Sequence, residues 1–357
     1  MPNYRIKIST SIGSRLTGTV VHALFPKCKV GDVGDKFSFQ SSCIIIECKR
    51  SNLQKKEEIE NNPGNTLRVQ IMRALLLYYA ANVQKARVYS ISVTRISKNN
   101  KVLITELTFL QKTQPLILRN VPTYFQFDMA NLIQNVLGPN SHDFETILSH
   151  WLGAWTVSER YDIFARVWRC LEQLSVQAYH GTRVIEKNCL EALRTFIRGH
   201  AGNIPLSCNH VDVMTYGELR AFSWKLLIFN NFKRTGSRDK YLEYRDTFVL
   251  PYHDERVARM LQATLVYRVG ELTAHGLLND INNHLNAAIA HPVKRNEDIV
   301  AILCGYYAYY TRNKIFHGEF SERTFNIYRS REDDIVDKLN GLMTKLTFEL
   351  IEAYQHL

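Results

Sequence analysis

The hydrophobic pattern of this chain changes near residue 120, and that change limits the folds open to it. Before that point, apolar residues alternate or form short β-branched runs, as in residues 3–8 and 43–49, which is typical of strands. After it, apolar residues recur three and four positions apart, which is typical of amphipathic helices. The 357 residues suffice for two domains with separate cores. We therefore expect an α+β, two-domain protein: a mixed α/β domain at 1–120 and an all-helical domain at 121–357.

The pattern also places the individual elements. Strands are predicted at 3–8, 36–39, 43–49, 86–95 and 102–110, with one helix from about Thr66 to Asn82. Residues 111–125 carry two prolines and no helical period, so the predicted domain boundary lies there. The predicted helices beyond it are 127–137, 142–155, 158–180, 184–199, 216–232, 253–274, 278–290, 298–310 and 333–354.

The net charge of +11 is unevenly distributed along the sequence. Residues 1–120 contain 19 Lys and Arg against 7 Asp and Glu, a charge of +12. Residues 121–357 contain 26 against 27, a charge of −1. A basic domain joined to a neutral one favours a polyanionic partner, and nucleic acid is the polyanion we expect.

The stretch Arg312-Asn313-Lys314-Ile315-Phe316-His317-Gly318 holds the residues most suggestive of chemistry. Arginine binds phosphate oxygens with two parallel hydrogen bonds, and histidine can exchange a proton near neutral pH. On a helix, residues five apart diverge by roughly 140°, so Arg312 and His317 are expected to flank a groove. Together such groups can bind and cleave a phosphodiester. The same sequence is also compatible with a plain helix end before Gly318.

This stretch resembles the Arg-polar-x-x-x-His motif of HEPN domains, helical modules of bacterial toxins, antiviral defence proteins and RNA-processing nucleases. Residues 160–174, with Trp168 and Glu172, resemble the early helix of that family, and the resemblance covers about residues 157–357. It implies a metal-independent endoribonuclease without a cofactor, in which the RNA 2′-hydroxyl attacks its own 3′-phosphate. His317 is then the general acid or base, Arg312 neutralises charge on the phosphate and Asn313 holds the site by hydrogen bonds.

The same resemblance bears on partners. HEPN-like proteins pair two motif helices about a two-fold axis, so it implies a homodimer with a composite site. It also implies an effector of anti-phage defence or of a toxin–antitoxin system, restrained by an antitoxin or another partner protein. Glu172 is a candidate for orienting Arg312.

A second group of residues lies in the basic domain. An acidic turn residue, Asp35 or Asp32, precedes Glu47-Cys48-Lys49 and a later helix with Gln70. This arrangement resembles the PD-(D/E)xK nuclease core, which implies a metal-dependent DNase. Asp35 and Glu47 are then ligands of Mg²⁺, and Lys49 orients the attacking water. His22 is similar to the histidine of RecB-like branches, although no proline precedes either aspartate.

Three functions therefore remain open: a HEPN-type ribonuclease, which we favour, a metal-dependent DNase, and a nucleic-acid-binding dimer without catalysis.

The seven cysteines include no Cys-x-x-Cys pair, so buried thiols are expected rather than disulfides or a zinc site. No apolar run reaches the length of about 18 residues that a membrane helix needs, and no signal-peptide pattern is present, so we expect a cytoplasmic protein.

Overall fold

The computed structural model describes residues 3–10, 15–23, 34–83, 87–96, 102–109, 118, 121–138, 141–232, 238–319 and 330–357. It contains two compact units, Met1–Ser158 and Glu159–Leu357. The described residues of the first form an antiparallel sheet and helices, and those of the second form helices and their connections. The predicted order of a mixed α/β part followed by a helical part is confirmed at this level.

The strands of the first unit are β1 (Asn3–Thr10), β2 (Val20–Ala23), β3 (Asp35–Phe39), β4 (Cys43–Lys49), β5 (Val88–Ile96) and β6 (Val102–Phe109). They form one sheet in the order β2-β3-β4-β1-β5-β6, with antiparallel pairing throughout. In β1, Tyr4, Ile6 and Ile8 are buried, whereas Arg5 and Lys7 are exposed. Because strand side chains alternate, the sheet has an apolar inner face and a polar outer face.

Four helices complete the first unit: α1 (Lys56–Asn61), α2 (Thr66–Ala81), α3 (Met129–Leu137) and α4 (Ser141–Ala154). Asn65 caps α2, since its side-chain oxygen accepts hydrogen bonds from the backbone N–H groups of Leu67 at 3.0 Å and Arg68 at 3.3 Å. Helix α2 lies on the inner face of the sheet, where Gln70 donates to Asp35 of β3. The predicted helix from about Thr66 to Asn82 is confirmed.

The first unit continues past the boundary expected at residue 120. Buried Arg73 of α2 forms an ion pair with half-buried Glu145 of α4, with 2.7 Å between Nε and Oε1. Phe125 and Phe127 pack edge-on against Trp151, with ring centroids 5.5 and 5.2 Å apart. The proline-containing segment has no helical period, but Phe125 at its end is buried in this core. The compact unit therefore ends at Ser158 rather than in 111–125.

The second unit contains α5 (Arg160–Ala178), α6 (Glu186–Gly199), α7 (Pro205–Asp212), α8 (Tyr216–Arg220), α9 (Trp224–Asn231), α10 (Arg238–Glu243), α11 (Glu255–Leu265), α12 (Val269–Ala274), α13 (Leu278–Ala290), α14 (Asn296–Ile302), α15 (Ala308–Phe316) and α16 (Arg331–Glu352). Helices α5 and α16 lie side by side. Arg160 at the start of α5 pairs with Asp333 at 3.1 Å, and Asn340 donates to the Arg160 carbonyl at 2.9 Å.

Two segments of this unit wind as π-helix: Tyr244–Val249 after α10, and Leu303–Tyr307 between α14 and α15. The second joins α14 and α15 into one helical run from Asn296 to Phe316. Such turns are rare and are frequently found at functional sites. The sequence pattern does not predict them.

The predictions for this region differ from the structure in several details. The single helices expected at 216–232 and 253–274 are each divided in two, helices α7 and α10 were not predicted, and the helix expected at 298–310 continues to Phe316. Helix α7 begins with Pro205 in its first turn, a position that suits proline because its missing N–H needs no partner there.

Cysteine usage follows the expectation within the described residues. Six cysteines there carry free thiols and five of these are buried, while Cys28 lies outside the described part of the chain. Within that part, no helix has the length and apolar character needed to cross a membrane.

Candidate active site

Asp35 of the predicted nuclease core has a structural partner. Arg50 donates two hydrogen bonds to its carboxylate, from Nη1 to Oδ1 at 2.8 Å and from Nη2 to Oδ2 at 2.6 Å. Gln70 adds a third bond at 2.7 Å, and Thr66 accepts from the Arg50 Nε at 2.8 Å. Asp35 and Arg50 are only 5% and 7% exposed. This cluster therefore ties the start of α2 to the inner face of the sheet, and Gln70 belongs to it.

Glu47 and Lys49 lie on the opposite face of the sheet from Asp35. Glu47 is directly opposite Lys36 in the β3–β4 register, so these two side chains share the outer face. Asp35 precedes Lys36 in the same strand and therefore points to the inner face. Glu47 instead pairs with Arg5 at 3.0 Å and with Lys36 at 3.8 Å.

The expected metal site is corrected accordingly. Asp35 and Glu47 do not converge, because strand alternation sends their carboxylates to opposite faces, and one Mg²⁺ needs its protein ligands around a single point. Within the described residues, no group of three or more His, Cys, Asp or Glu side chains is arranged to hold a metal ion. His22 lies on the outer face opposite Lys36. Asp32, the other candidate aspartate, lies outside the described residues.

The Arg312–His317 stretch forms the end of α15 and its cap. Gly318 has a φ of +71°, and its N–H donates to the Ile315 carbonyl at 3.0 Å. The N–H of Glu319 donates to the Lys314 carbonyl at 2.9 Å, which completes a Schellman motif. The motif ends the helix at His317 and leaves that side chain exposed at the helix terminus.

Arg312 and Asn313 are in direct contact. The Nη1 of Arg312 donates to the Oδ1 of Asn313 at 2.9 Å, and its guanidinium carbon lies 5.0 Å from the centroid of the Phe316 ring. This contact fixes the direction of the guanidinium. The Nε of Arg312 is buried without a hydrogen-bond partner among the described residues.

Two carboxylates lie near the Arg312 guanidinium. Its Nη2 is 4.0 Å from Oε1 of Glu172 on α5 and 3.7 Å from Oε1 of Glu186 on α6. Both separations exceed those of a strong charge-assisted hydrogen bond. Burial raises the pKa of Glu172 and nearby Glu186 adds to this effect, while Arg312 acts in the opposite direction. Glu172 thus faces Arg312 from the neighbouring helix, as expected for the residue named above as a candidate for orienting it.

His317 is the most accessible member of the motif. It is exposed, and no hydrogen bond to its imidazole occurs within the described residues. Phe316 beside it is 51% exposed. The structure thus brings Arg312 and Asn313 into contact, with the imidazole at the adjacent helix end.

Searches against known protein families, curated proteins and solved structures found no match for this chain. The site is therefore argued from its own geometry.

A cavity of about 420 Å³ adjoins the motif, with Asn313 in its wall. Arg194 of α6 and Tyr306 of the π turn also line it.

Tyr306, Tyr307 and Tyr310 are buried, whereas Tyr309 is half-buried and bonds Glu186 through its hydroxyl at 3.3 Å. The tyrosine cluster is thus mainly core, as its helical spacing suggests.

Sequence reasoning missed Arg194 and Glu186. A signal for Arg194 was present, because it interrupts the apolar side of α6 between Leu190, Leu193 and Ile197. An arginine at a core position of an amphipathic helix needs either a partner or a function. Glu186 has no comparable signal, since an acidic residue in the first turn of a helix is ordinary.

Proposed function

We propose that this chain is a metal-independent endoribonuclease of the HEPN type, with a site formed by Arg312, Asn313 and His317. The observation that carries the proposal is the end of α15, where a guanidinium is held by Asn313 and an imidazole without a hydrogen bond in the described structure lies on a capped helix terminus. Such a pair offers a phosphate-binding cation and a proton-transfer group near one helix end.

In the proposed reaction, the RNA 2′-hydroxyl attacks the adjacent phosphorus and the bond to the 5′-oxygen of the next nucleotide breaks. The products are a 2′,3′-cyclic phosphate and a free 5′-hydroxyl. His317 transfers a proton at the attacking or the leaving oxygen, and Arg312 stabilises charge that develops on the phosphate. Asn313 keeps the guanidinium aimed through their 2.9 Å hydrogen bond. This chemistry uses no metal ion.

Glu172 and Glu186 affect how well Arg312 can bind a phosphate. Two ionised carboxylates beside one guanidinium oppose an incoming anion. We propose that Glu172 and Glu186 are positioning residues, which hold Arg312 loosely until substrate binds.

A composite site in a homodimer is part of the proposal. Arg312 and His317 are five residues apart near a helix end, so one copy offers them in different directions. A second copy packed on this helix end would cover exposed Phe316. We expect a dimer in solution, and a mass measurement at micromolar concentration that finds only monomer in an active sample would contradict this part.

RNA capture is assigned to the outer face of the sheet. Exposed Arg5, Lys7 and Lys49 lie on it with half-buried Lys36 and with acidic Glu47. A polar sheet face with several cations can bind a phosphate backbone without reading sequence.

In biological terms, we propose that the protein is an effector of anti-phage defence or of a toxin–antitoxin system and is held inactive by a partner protein.

The test is incubation of the protein with RNA and with DNA, each with and without EDTA. RNA cleavage that persists in EDTA supports the proposal. DNA cleavage that EDTA abolishes would favour a metal-dependent DNase instead. Binding of either nucleic acid without cleavage would favour the non-catalytic dimer.

A further inference from the structure

The cavity beside α15 contains a buried guanidinium without a carboxylate partner. Arg194 is 6% exposed and lines the cavity of about 420 Å³. Its guanidinium makes a long hydrogen bond from Nη1 to the Gly305 carbonyl at 3.5 Å and lies over the face of the Tyr306 ring, 4.0 Å from the guanidinium carbon to the ring centroid. A buried charge is costly unless it is paired, so most hydrogen-bonding capacity of this group is left for a ligand.

The two π turns form part of the cavity wall around Arg194. Gly305 and Tyr306 come from one turn and Thr247 from the other, and the Tyr306 hydroxyl donates to the Thr247 carbonyl at 2.8 Å. A Cβ at position 305 would lie 2.4 Å from Cγ of Arg194, so only glycine allows the arginine stem to pass there. Both irregular turns thus help to hold one guanidinium against the cavity.

The other charged groups leave this cation uncompensated. Glu243 in the wall is paired with Lys187 at 2.7 Å and with Lys240 at 3.3 Å. Glu191 is exposed at the rim. The buried end of the cavity therefore favours an anion, and Arg194 can offer several N–H donors to it, as phosphate oxygens require.

We infer that this cavity binds a nucleotide, with its phosphate on Arg194 and its base near Tyr309 and the amide of Asn313. The half-buried Tyr309 ring provides an aromatic surface, and Asn313 and Asn231 provide donors and acceptors for a base edge. The volume falls within the range of about 300–1,000 Å³ common for small-molecule sites. The nucleotide is either a free mononucleotide or one unit of an RNA chain.

Asn313 links this cavity to the motif, because the same side chain accepts the Arg312 hydrogen bond. A nucleotide bound here is therefore placed to change the orientation of Arg312. Binding itself does not depend on cleavage, so the inference survives if the proposed ribonuclease activity does not.

The test uses the full-length protein and its Arg194→Met and Arg198→Met variants. Methionine keeps the apolar stem at position 194 but removes the charge. Arg198 is the control: it lies one turn further along α6 and bonds the Pro251 carbonyl at 3.2 Å. The probes are AMP, GMP, CMP and UMP, with inorganic phosphate and a short oligoribonucleotide in parallel. The readouts are calorimetric Kd and the thermal unfolding midpoint, repeated on His317→Ala to prevent cleavage of the oligonucleotide.

We expect at least one mononucleotide or the oligonucleotide to bind wild type and Arg198→Met. Arg194→Met should lose roughly tenfold or more in affinity, because it removes charge-assisted hydrogen bonds. Its unliganded unfolding midpoint should equal or exceed that of wild type, since an unpaired buried charge is gone. Gly305→Ala should weaken binding in the same way by displacing the guanidinium.

Binding by mononucleotides identifies a free nucleotide as the ligand, whereas binding by the oligonucleotide alone identifies a subsite for RNA. The inference is overturned if none of these probes binds wild type at millimolar concentration. It is also overturned if Arg194→Met binds as wild type does, or if Arg194→Met lowers the unliganded midpoint without changing affinity, since the arginine would then be structural.

Discussion

At the residue scale, Gly318 decides where α15 ends and therefore where His317 lies. Its φ of +71° is in the left-handed region, which side chains with a Cβ adopt only at a cost. The two Schellman hydrogen bonds depend on that conformation. The helix cap alone is therefore sufficient to explain a glycine at position 318. The same cap leaves the His317 imidazole exposed at the end of α15.

Gly318→Ala should lower the free energy of unfolding by about 1–2 kcal/mol, the cost of a left-handed conformation at a residue with a Cβ. Gly199→Ala is the matched control, because Gly199 ends α6 without a positive φ and has open space around the added Cβ. Chemical denaturation of both variants measures the difference. Equal stability of the two variants would show that the left-handed cap contributes nothing.

Asp35 shows how far the sequence could predict individual site residues. The alternation of Asp35, Phe37 and Phe39 already places the aspartate on the apolar face of its strand. The apolar run before Glu47 hides the alternation of β4, so its face depends on the register with β3. Register is a long-range property that local pattern does not determine. The two carboxylates therefore looked like a pair although they lie on opposite faces.

At the element scale, most elements with a strong period were predicted within about two residues, whereas breaks inside helices and the C-terminal end of the helix expected at 298–310 were not. Strand Cys43–Lys49 and helix Leu278–Ala290 match their expected bounds. The break between α8 and α9 is held by one local and one long-range contact: Trp224 Nε1 donates to the Leu219 carbonyl at 2.6 Å, and the Ser223 N–H donates to the Tyr307 hydroxyl at 2.9 Å. The bond to Tyr307 joins residues far apart in the sequence, so a local hydrophobic period cannot reveal it.

Helix α7 is fixed at its first turn by a buried carboxylate from α16. Glu349 is 4% exposed and accepts hydrogen bonds from the backbone N–H of Ser207 at 3.0 Å and from its hydroxyl at 2.5 Å. It also accepts from the N–H of Leu206. Burial raises the pKa of Glu349 from 4.5 to about 6, although these hydrogen bonds and Lys345 act in the opposite direction. The folded chain therefore binds a proton at Glu349 more readily than the unfolded chain.

The contribution of Glu349 to stability should be greatest below pH 4.5 and should fall as the pH rises through about 6. In Glu349→Gln this dependence should disappear. His210 on α7 has a lowered pKa because of burial, which gives the opposite trend with pH, but both proteins retain it. The difference in unfolding free energy between wild type and Glu349→Gln, measured by denaturation across this pH range, isolates the carboxyl. A difference that stays constant with pH would contradict the assignment.

At the scale of the whole molecule, the charge asymmetry of the sequence has a structural counterpart in the outer face of the sheet. Lys7 and Lys49 are exposed there, and the antiparallel register places β1 beside β4. The excess of basic residues in 1–120 predicted a polyanion partner, but it could not show which surface carries the charge. That information came from strand alternation and register together.

Replacing both Lys7 and Lys49 by Glu should weaken RNA binding and flatten its dependence on salt. Each lost phosphate contact should reduce the slope of log K against log salt by about 0.7 on single-stranded RNA. Lys55→Glu is the control, because Lys55 is exposed in the same unit but lies outside the strands. Affinity measured over a series of salt concentrations tests this. If Lys55→Glu lost as much RNA affinity per changed charge as the double variant, the net charge of the unit, rather than this face of the sheet, would account for RNA binding.

The central claim is that His317 transfers a proton during RNA cleavage, and His317→Ala tests it most directly. His291→Ala is the matched control, since His291 is also an exposed histidine at a helix C-cap. The measurement is the RNA cleavage rate in EDTA, with analysis of product ends and of the unfolding midpoint. We predict a rate loss of about 10²–10⁴-fold for His317→Ala alone, at an unchanged midpoint, and wild-type products with 2′,3′-cyclic phosphate ends. A folded His317→Ala protein that cleaves RNA at the wild-type rate would contradict the account.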